Sequence, residues 1–134
     1  MKIDSLQKAV RLAETTGCVF VATSDADGMP HLAAAGKLSY AGKKNVAVTE
    51  WFCPGTVANL DNNKYVSIVV WDKDADTGFQ LLGRLEKIVD LGVLDGYAPA
   101  LEKKPPLPQV QRQLLIRIEK ILDFKLGPHS DVEE

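Results

Sequence analysis

Six runs of this 134-residue chain read as strands, and most of them follow one another across turns too short for anything but antiparallel pairing. They are Cys18 to Thr23, His31 to Tyr40, Val46 to Phe52, Tyr65 to Trp71, Gly78 to Val89 and Gln113 to Leu126. Asp25-Ala26-Asp27-Gly28 joins the first two with a hairpin signal, and Ala41-Gly42-Lys43-Lys44-Asn45 turns the chain into the third. Tyr65 to Trp71 is apolar almost throughout, which suits a strand covered on both faces, whereas Gly78 to Val89 alternates. In the last run Leu114, Ile116, Ile118, Leu122, Phe124 and Leu126 fall on or near one side. Ahead of the strands, Asp4-Ser5-Leu6-Gln7 reads as a helix start with Asp4 as N-cap, Leu6, Ala9, Val10 and Ala13 share a face, and Gly17 ends the helix. A further helical stretch is expected within Leu91 to Leu101, before the proline-rich loop Lys103 to Pro108. The whole predicts a mainly β fold with flanking helices, its six antiparallel strands closing into a barrel.

A chain of this length buries roughly two-thirds of its unfolded surface, so one domain over 1–134 can hold a core without disulfides or metal. The acidic end, 127–134, is expected to fray. Sixteen basic against 18 acidic residues leave a net charge of −2, and the Lys103-Lys104 pair stands among prolines. A nucleic-acid partner would ask for a basic stripe, so none is expected. No apolar run approaches the roughly 20 residues of a membrane span, and the first residues lack the apolar stretch of a secretion signal. A cytoplasmic protein is the expectation, with Cys18 and Cys53 as reduced core residues.

Two stretches point to a ligand. Cys53-Pro54-Gly55-Thr56-Val57-Ala58-Asn59-Leu60 passes from a strand through a Pro-Gly turn into a short helix that can start at Thr56. Free N–H groups at such a start attract anions, phosphate above all, although Thr56 and Asn59 serve equally well as plain helix caps. Ala33-Ala34-Ala35-Gly36 leaves a strand with almost no side-chain bulk, either as a wall for a flat ligand or to admit a close sheet–helix contact. Gln80 shares a strand face with Leu82 and Arg84, so an amide and a guanidinium can meet a heterocycle edge and an anion; the plainer expectation pairs Arg84 with Glu86 or Glu50. Neither His31 nor His129 belongs to a metal-ligand pattern, and no Gly-x-Ser-x-Gly elbow or Walker loop is present. His31 and Glu50 are the candidate acid or base groups.

Val19 to Thr23, then Asp27-Gly28-Met29-Pro30-His31, then Thr56 to Ser67 with its Asn59-Leu60 and Asn63, then Gly78-Phe79-Gln80-Leu81-Leu82-Gly83 stand in an ordered series. As a set covering about Leu6 to Val89, they resemble the FMN-binding split barrel of the pyridoxamine 5′-phosphate oxidase-like family. The resemblance implies a homodimer with FMN in grooves at the subunit interface. It also implies an oxidoreductase or flavin reductase of unassigned substrate, with a pyridine nucleotide or a small redox substrate as partner. The alternative it implies is a module that binds or senses flavin, deazaflavin or haem in the same groove without turnover. Carried over, Ala34, Ala35, Gly36 and Lys37 run along the flavin, and Thr49, Glu50 and Trp51 meet the ring edge. Gly55, Thr56 and Asn59 meet the phosphate, and Gln80 lies on a strand facing the cofactor. Many members carry Arg or Lys at or just before Thr56, where this chain has Pro54-Gly55, and the second-strand Arg of the vitamin B6 enzyme is Ala33. The phosphate would then rest on N–H groups and Thr56, with Lys37 or a second copy's Arg84 as cations. A true pyridoxamine phosphate oxidase is therefore not expected.

Overall fold

The computed structural model describes residues 2–51, 54–94, 109–128 and 132–133. Two helices, α1 (Ile3–Thr16) and α2 (Pro54–Asn62), accompany seven strands. The strands are β1 (Val19–Ser24), β2 (Pro30–Ala35), β3 (Lys37–Tyr40), β4 (Asn45–Trp51), β5 (Tyr65–Asp72), β6 (Thr77–Leu94) and β7 (Gln109–Asp123). They form one antiparallel sheet in the order β2-β1-β5-β6-β7-β4-β3. Its first and last members are halves of one run, parted at Gly36, where the chain leaves its partner β1 and takes up β4. The sheet therefore curls until its two ends meet in consecutive residues, which is a split barrel. This change of partner is why seven strands stand where six were expected.

The barrel interior is filled by Val19 and Val21, Leu38, Val46 and Val48, Ile68, Leu81, and Leu114, Ile116, Ile118 and Ile121. Leu6, Ala9, Val10 and Ala13 of α1 belong to the same core, and α1 packs on β3, β5 and β6. At Gly17 the chain takes φ 80°, left-handed, and its N–H donates to the Ala13 carbonyl, closing α1 as expected. β6 and β7 pair along most of their length with register irregularities, one between Leu82 and Gly83. A Cβ on Gly83 would run into the Arg117 carbonyl oxygen, so this crossing admits only glycine without a shift.

Several local expectations are corrected. α1 begins at Ile3 and Lys2 is its N-cap without a side-chain bond; Asp4 lies within the first turn, where a carboxylate still faces the positive helix end. α2 starts at Pro54, two residues before Thr56, because proline's fixed φ suits the first helical position. Cys18 is exposed: Val19 and Val21 point inward, so alternation turns Cys18 outward with Phe20. Cys53 lies outside the described residues. Leu91 to Leu94 continue β6, held by pairing with residues from Gln109 onward, and the rest of the expected helix lies outside the described residues. In β7 the irregularity opposite Leu82 and Gly83 shifts the inward series from Ile118 to Ile121, so Leu122 is only half-buried and Leu126 is exposed. Near the end of the chain Val132 accepts a 2.9 Å bond from the Asp123 N–H, and Glu133 bridges Leu122, so the expected tail is tied to β7 at this point.

Candidate functional site

β4 runs toward the start of α2, and α2 packs on β1 and β2. Two amides fasten the helix there. Asn59 Nδ2 donates to Thr23 Oγ1 at 3.0 Å, and Asn63 Nδ2 donates to Ser24 Oγ at 2.9 Å. Asn59, expected at the phosphate, thus has its amide committed to β1. The helix start beside it carries an unspent donor: Thr56 is fully buried, and its hydroxyl has no hydrogen-bond partner among the described residues. A buried hydroxyl without a partner costs about 1–3 kcal/mol, which makes Thr56 a candidate for a ligand contact. Pro54 has no N–H, and the Gly55 and Thr56 N–H groups, being in the first turn, have no carbonyl within the helix to reach.

Gly55 supplies a cradle. A Cβ placed there would stand 3.0 Å from His31 Nε2 and 3.4 Å from Cε1, so the imidazole edge occupies the room that a side chain would take. His31 is exposed, on β2 opposite Thr23. Its approach to Gly55 joins residues far apart in the chain, and only the pairing of Asp27-Gly28-Met29-Pro30-His31 with a Pro-Gly helix start hinted at it.

The other expected residues divide by location. Gly36 and Lys37 stand at the break between β2 and β3, and Lys37 pairs with Thr49 of β4, so these three lie together. Glu50 and Trp51 follow on β4, opposite Arg112 and Gln111, their side chains outside what is described. Ala34 is exposed on the outer face, opposite Phe20. The Ala35 methyl is in the core, so it offers a ligand only its backbone. Gln80 is separated from β2 by β1 and β5, and its amide donates to Ser67 Oγ at 2.8 Å. Arg84 lies over the Tyr65 ring, 5.8 Å from its centroid, in place of an ion pair with Glu86; the Glu50 side chain lies outside what is described. Among the described residues no group of three or more His, Cys, Asp or Glu is placed to hold a metal, and no helix is long and apolar enough to cross a membrane.

On the outer face a groove of about 430 Å³ is walled by Ala22, Ser24, Tyr65, Ser67 and Leu82, among others. It adjoins an apolar stretch where Phe20, Leu32 and Tyr65 are 42%, 63% and 62% exposed. The α2 corner thus combines first-turn N–H groups, the Thr56 hydroxyl and the His31 imidazole, donors of the kind that suit an anion.

The family model described as Pyridoxamine 5'-phosphate oxidase matches residues 6–123. No curated protein matches the chain by sequence. Among solved structures, a Clostridium acetobutylicum protein related to general stress protein 26 of B. subtilis is 20% identical, with a TM-score of 0.68, over 100% of this chain and 96% of that one. An FMN-binding protein from Syntrophomonas wolfei subsp. wolfei is 20% identical, with a TM-score of 0.66, over 92% and 88%. An F420 reductase is 19% identical, with a TM-score of 0.55, over 78% and 87%. At these identities the likeness is one of fold.

Proposed function

Because the chain belongs to the pyridoxamine 5′-phosphate oxidase family, we propose that it is a dimeric flavoprotein that holds FMN by its phosphate at the start of α2 and serves as an oxidoreductase. The observation that carries this reading is the Thr56 hydroxyl, buried and unpartnered beside a glycine cradle. The residues fit the group. Thr56 Oγ1 and the first-turn N–H groups would hold the phosphate, and the backbone at Gly36, Lys37 and Thr49 would line the ring. Bound FMN supplies the hydride chemistry, while the protein orients the ring and shields it from water. The apolar outer face with Phe20 and Leu32 is the surface offered to a second copy, whose approach would turn the open corner into a groove. The FMN-binding neighbour from Syntrophomonas wolfei supports the choice of ligand.

A second reading, a deazaflavin in the same groove, is favoured by Pro54-Gly55-Thr56, which carries no cation for a terminal phosphate, and by the F420 reductase among the structural neighbours. Titration with FMN, riboflavin and F420 separates the two. FMN binding at least tenfold tighter than riboflavin supports the phosphate anchor, and preference for F420 replaces it with the second reading. Thr56→Val sharpens the test. Losing a hydrogen bond to a charged group should weaken FMN by roughly tenfold to a hundredfold and leave riboflavin unchanged. The same variant, relieved of an orphaned hydroxyl, should gain about 1 kcal/mol in urea unfolding. Bleaching of the bound flavin by NADH or NADPH, with reoxidation by an acceptor, distinguishes an enzyme from a module that only holds its ligand.

A further inference from the structure

We propose that His31 is the proton-linked cation of the anion cradle at the start of α2, so that phosphate-bearing ligands bind there together with a proton. The inference deepens the reading above and rests on its phosphate site. Pro54, Gly55 and Thr56 bring no charge to the helix start, yet His31 Nε2 would lie 3.0 Å from a Cβ at Gly55, at the same end of the helix as the unpartnered Thr56 hydroxyl. The placement is fixed from two sides. β2 holds His31 opposite Thr23, and the Thr23 hydroxyl receives the Asn59 amide from α2. Glycine at position 55 is what lets the imidazole in.

The coupling follows from electrostatics. A helix N-terminus carries a partial positive charge that attracts an anion. An anion held there also favours the imidazolium beside it, and by linkage the imidazolium favours the anion. Histidine is the side chain suited to this, since its charge ordinarily changes between pH 5 and 8. Few other charges face it. β1 has no ionisable side chain, β2 has none besides His31, and α2 carries only Asp61, toward its far end. The β1–β2 turn adds Asp25, whose carboxylate is occupied by the N–H groups of Asp27 and Met29, and Asp27 itself. Lys37 stands on β3 and Glu50 on β4, the Glu50 side chain lying outside what is described.

The chain has only two histidines, so NMR titration of the imidazoles resolves His31 with His129 as internal reference. Sulfate is the first probe, because it stays doubly charged across the range and does not titrate itself. Saturating sulfate should raise the His31 midpoint and leave that of His129 in place, and sulfate affinity should fall by up to roughly tenfold per pH unit across that interval. FMN should show the same fall superimposed on its own phosphate titration, and riboflavin should show none. His31→Gln should flatten the sulfate pH dependence. His31→Arg should keep at pH 8 the affinity that the wild type loses, a rescue that a purely packing role does not give. An unmoved His31 midpoint in sulfate, or an unchanged pH dependence in His31→Gln, overturns the proposal. If sulfate moves His31 while FMN binds no better than riboflavin, the cradle stands and the FMN reading falls. If FMN binds tightly with the same pH dependence in wild type and His31→Gln, the FMN reading stands and the role of His31 falls.

Discussion

The Asp76 carboxylate accepts three hydrogen bonds, from the Trp71 indole at 3.1 Å and from the N–H groups of Leu126 and Gly127 at 2.8 and 3.0 Å. Trp71 in turn meets Phe124 edge to face at 5.9 Å, so one side chain in the β5–β6 turn gathers the segment that follows β7. The Leu126 N–H does most to hold the carboxyl below its ordinary range, against an opposing push from desolvation, with Trp71, Gly127 and Lys125 adding to the lowering. A folded-state value below the unfolded one gives stability that is present above the unfolded value and is lost as pH falls through the folded one. Asp76→Asn should therefore lower the urea midpoint at neutral pH, and the gap from wild type should narrow below about pH 4, the ordinary carboxylate range. A gap that stays constant from pH 7 to pH 3 would show that the charge contributes nothing. Asp76 takes φ 48°, which asparagine also tolerates, so the substitution tests the charge with little backbone penalty.

Among the elements, β6 and β7 depend most on a single position. Gly83 sits at a register irregularity with the Arg117 carbonyl where its Cβ would be, and the Ile116 side chain crowds the same spot at 3.1 Å. Gly83→Ala should cost about 1–3 kcal/mol in urea unfolding through forced displacement of β7. An unchanged midpoint would mean that the ladder shifts freely at this crossing. The spacing of Gly78-Phe79-Gln80-Leu81-Leu82-Gly83 was visible in the sequence, but its cause, a neighbouring backbone, was not. The same division runs through the other elements. Strands with alternating or continuous apolar patterns were legible because side-chain burial sets them locally. The β identity of Leu91 to Leu94 was not, because it comes from partners beginning at Gln109, and neither was the exposure of Cys18, which depends on which parity of β1 faces inward. At the site, a helix start close to Thr56 could be read from Pro54-Gly55-Thr56. The commitment of Asn59 to Thr23 and of Gln80 to Ser67, and the seating of His31 over Gly55, are contacts between distant segments that no local pattern encodes.

For the whole molecule, the outer face of β1 and β2 is notable for exposed apolar side chains. Phe20 and Leu32 project there from neighbouring strands with Ala22 and Ala34 between them. If a second copy covers this face, Phe20→Lys should raise the dimer dissociation constant by roughly a hundredfold, seen as a monomer by light scattering, without lowering the unfolding midpoint of the isolated subunit. A wild-type protein that is monomeric at high micromolar concentration removes the basis for that arrangement. The seam at Gly36 has a consequence of another kind. A curled sheet keeps two rims, and here both are short, six residues in β2 and four in β3, and belong to one continuous stretch of chain. A foreign strand docking on either rim must distort the run that also builds the other, and Pro30 removes a donor at one end. The fold thus guards itself against growth by strand addition, and it does so at a single bend.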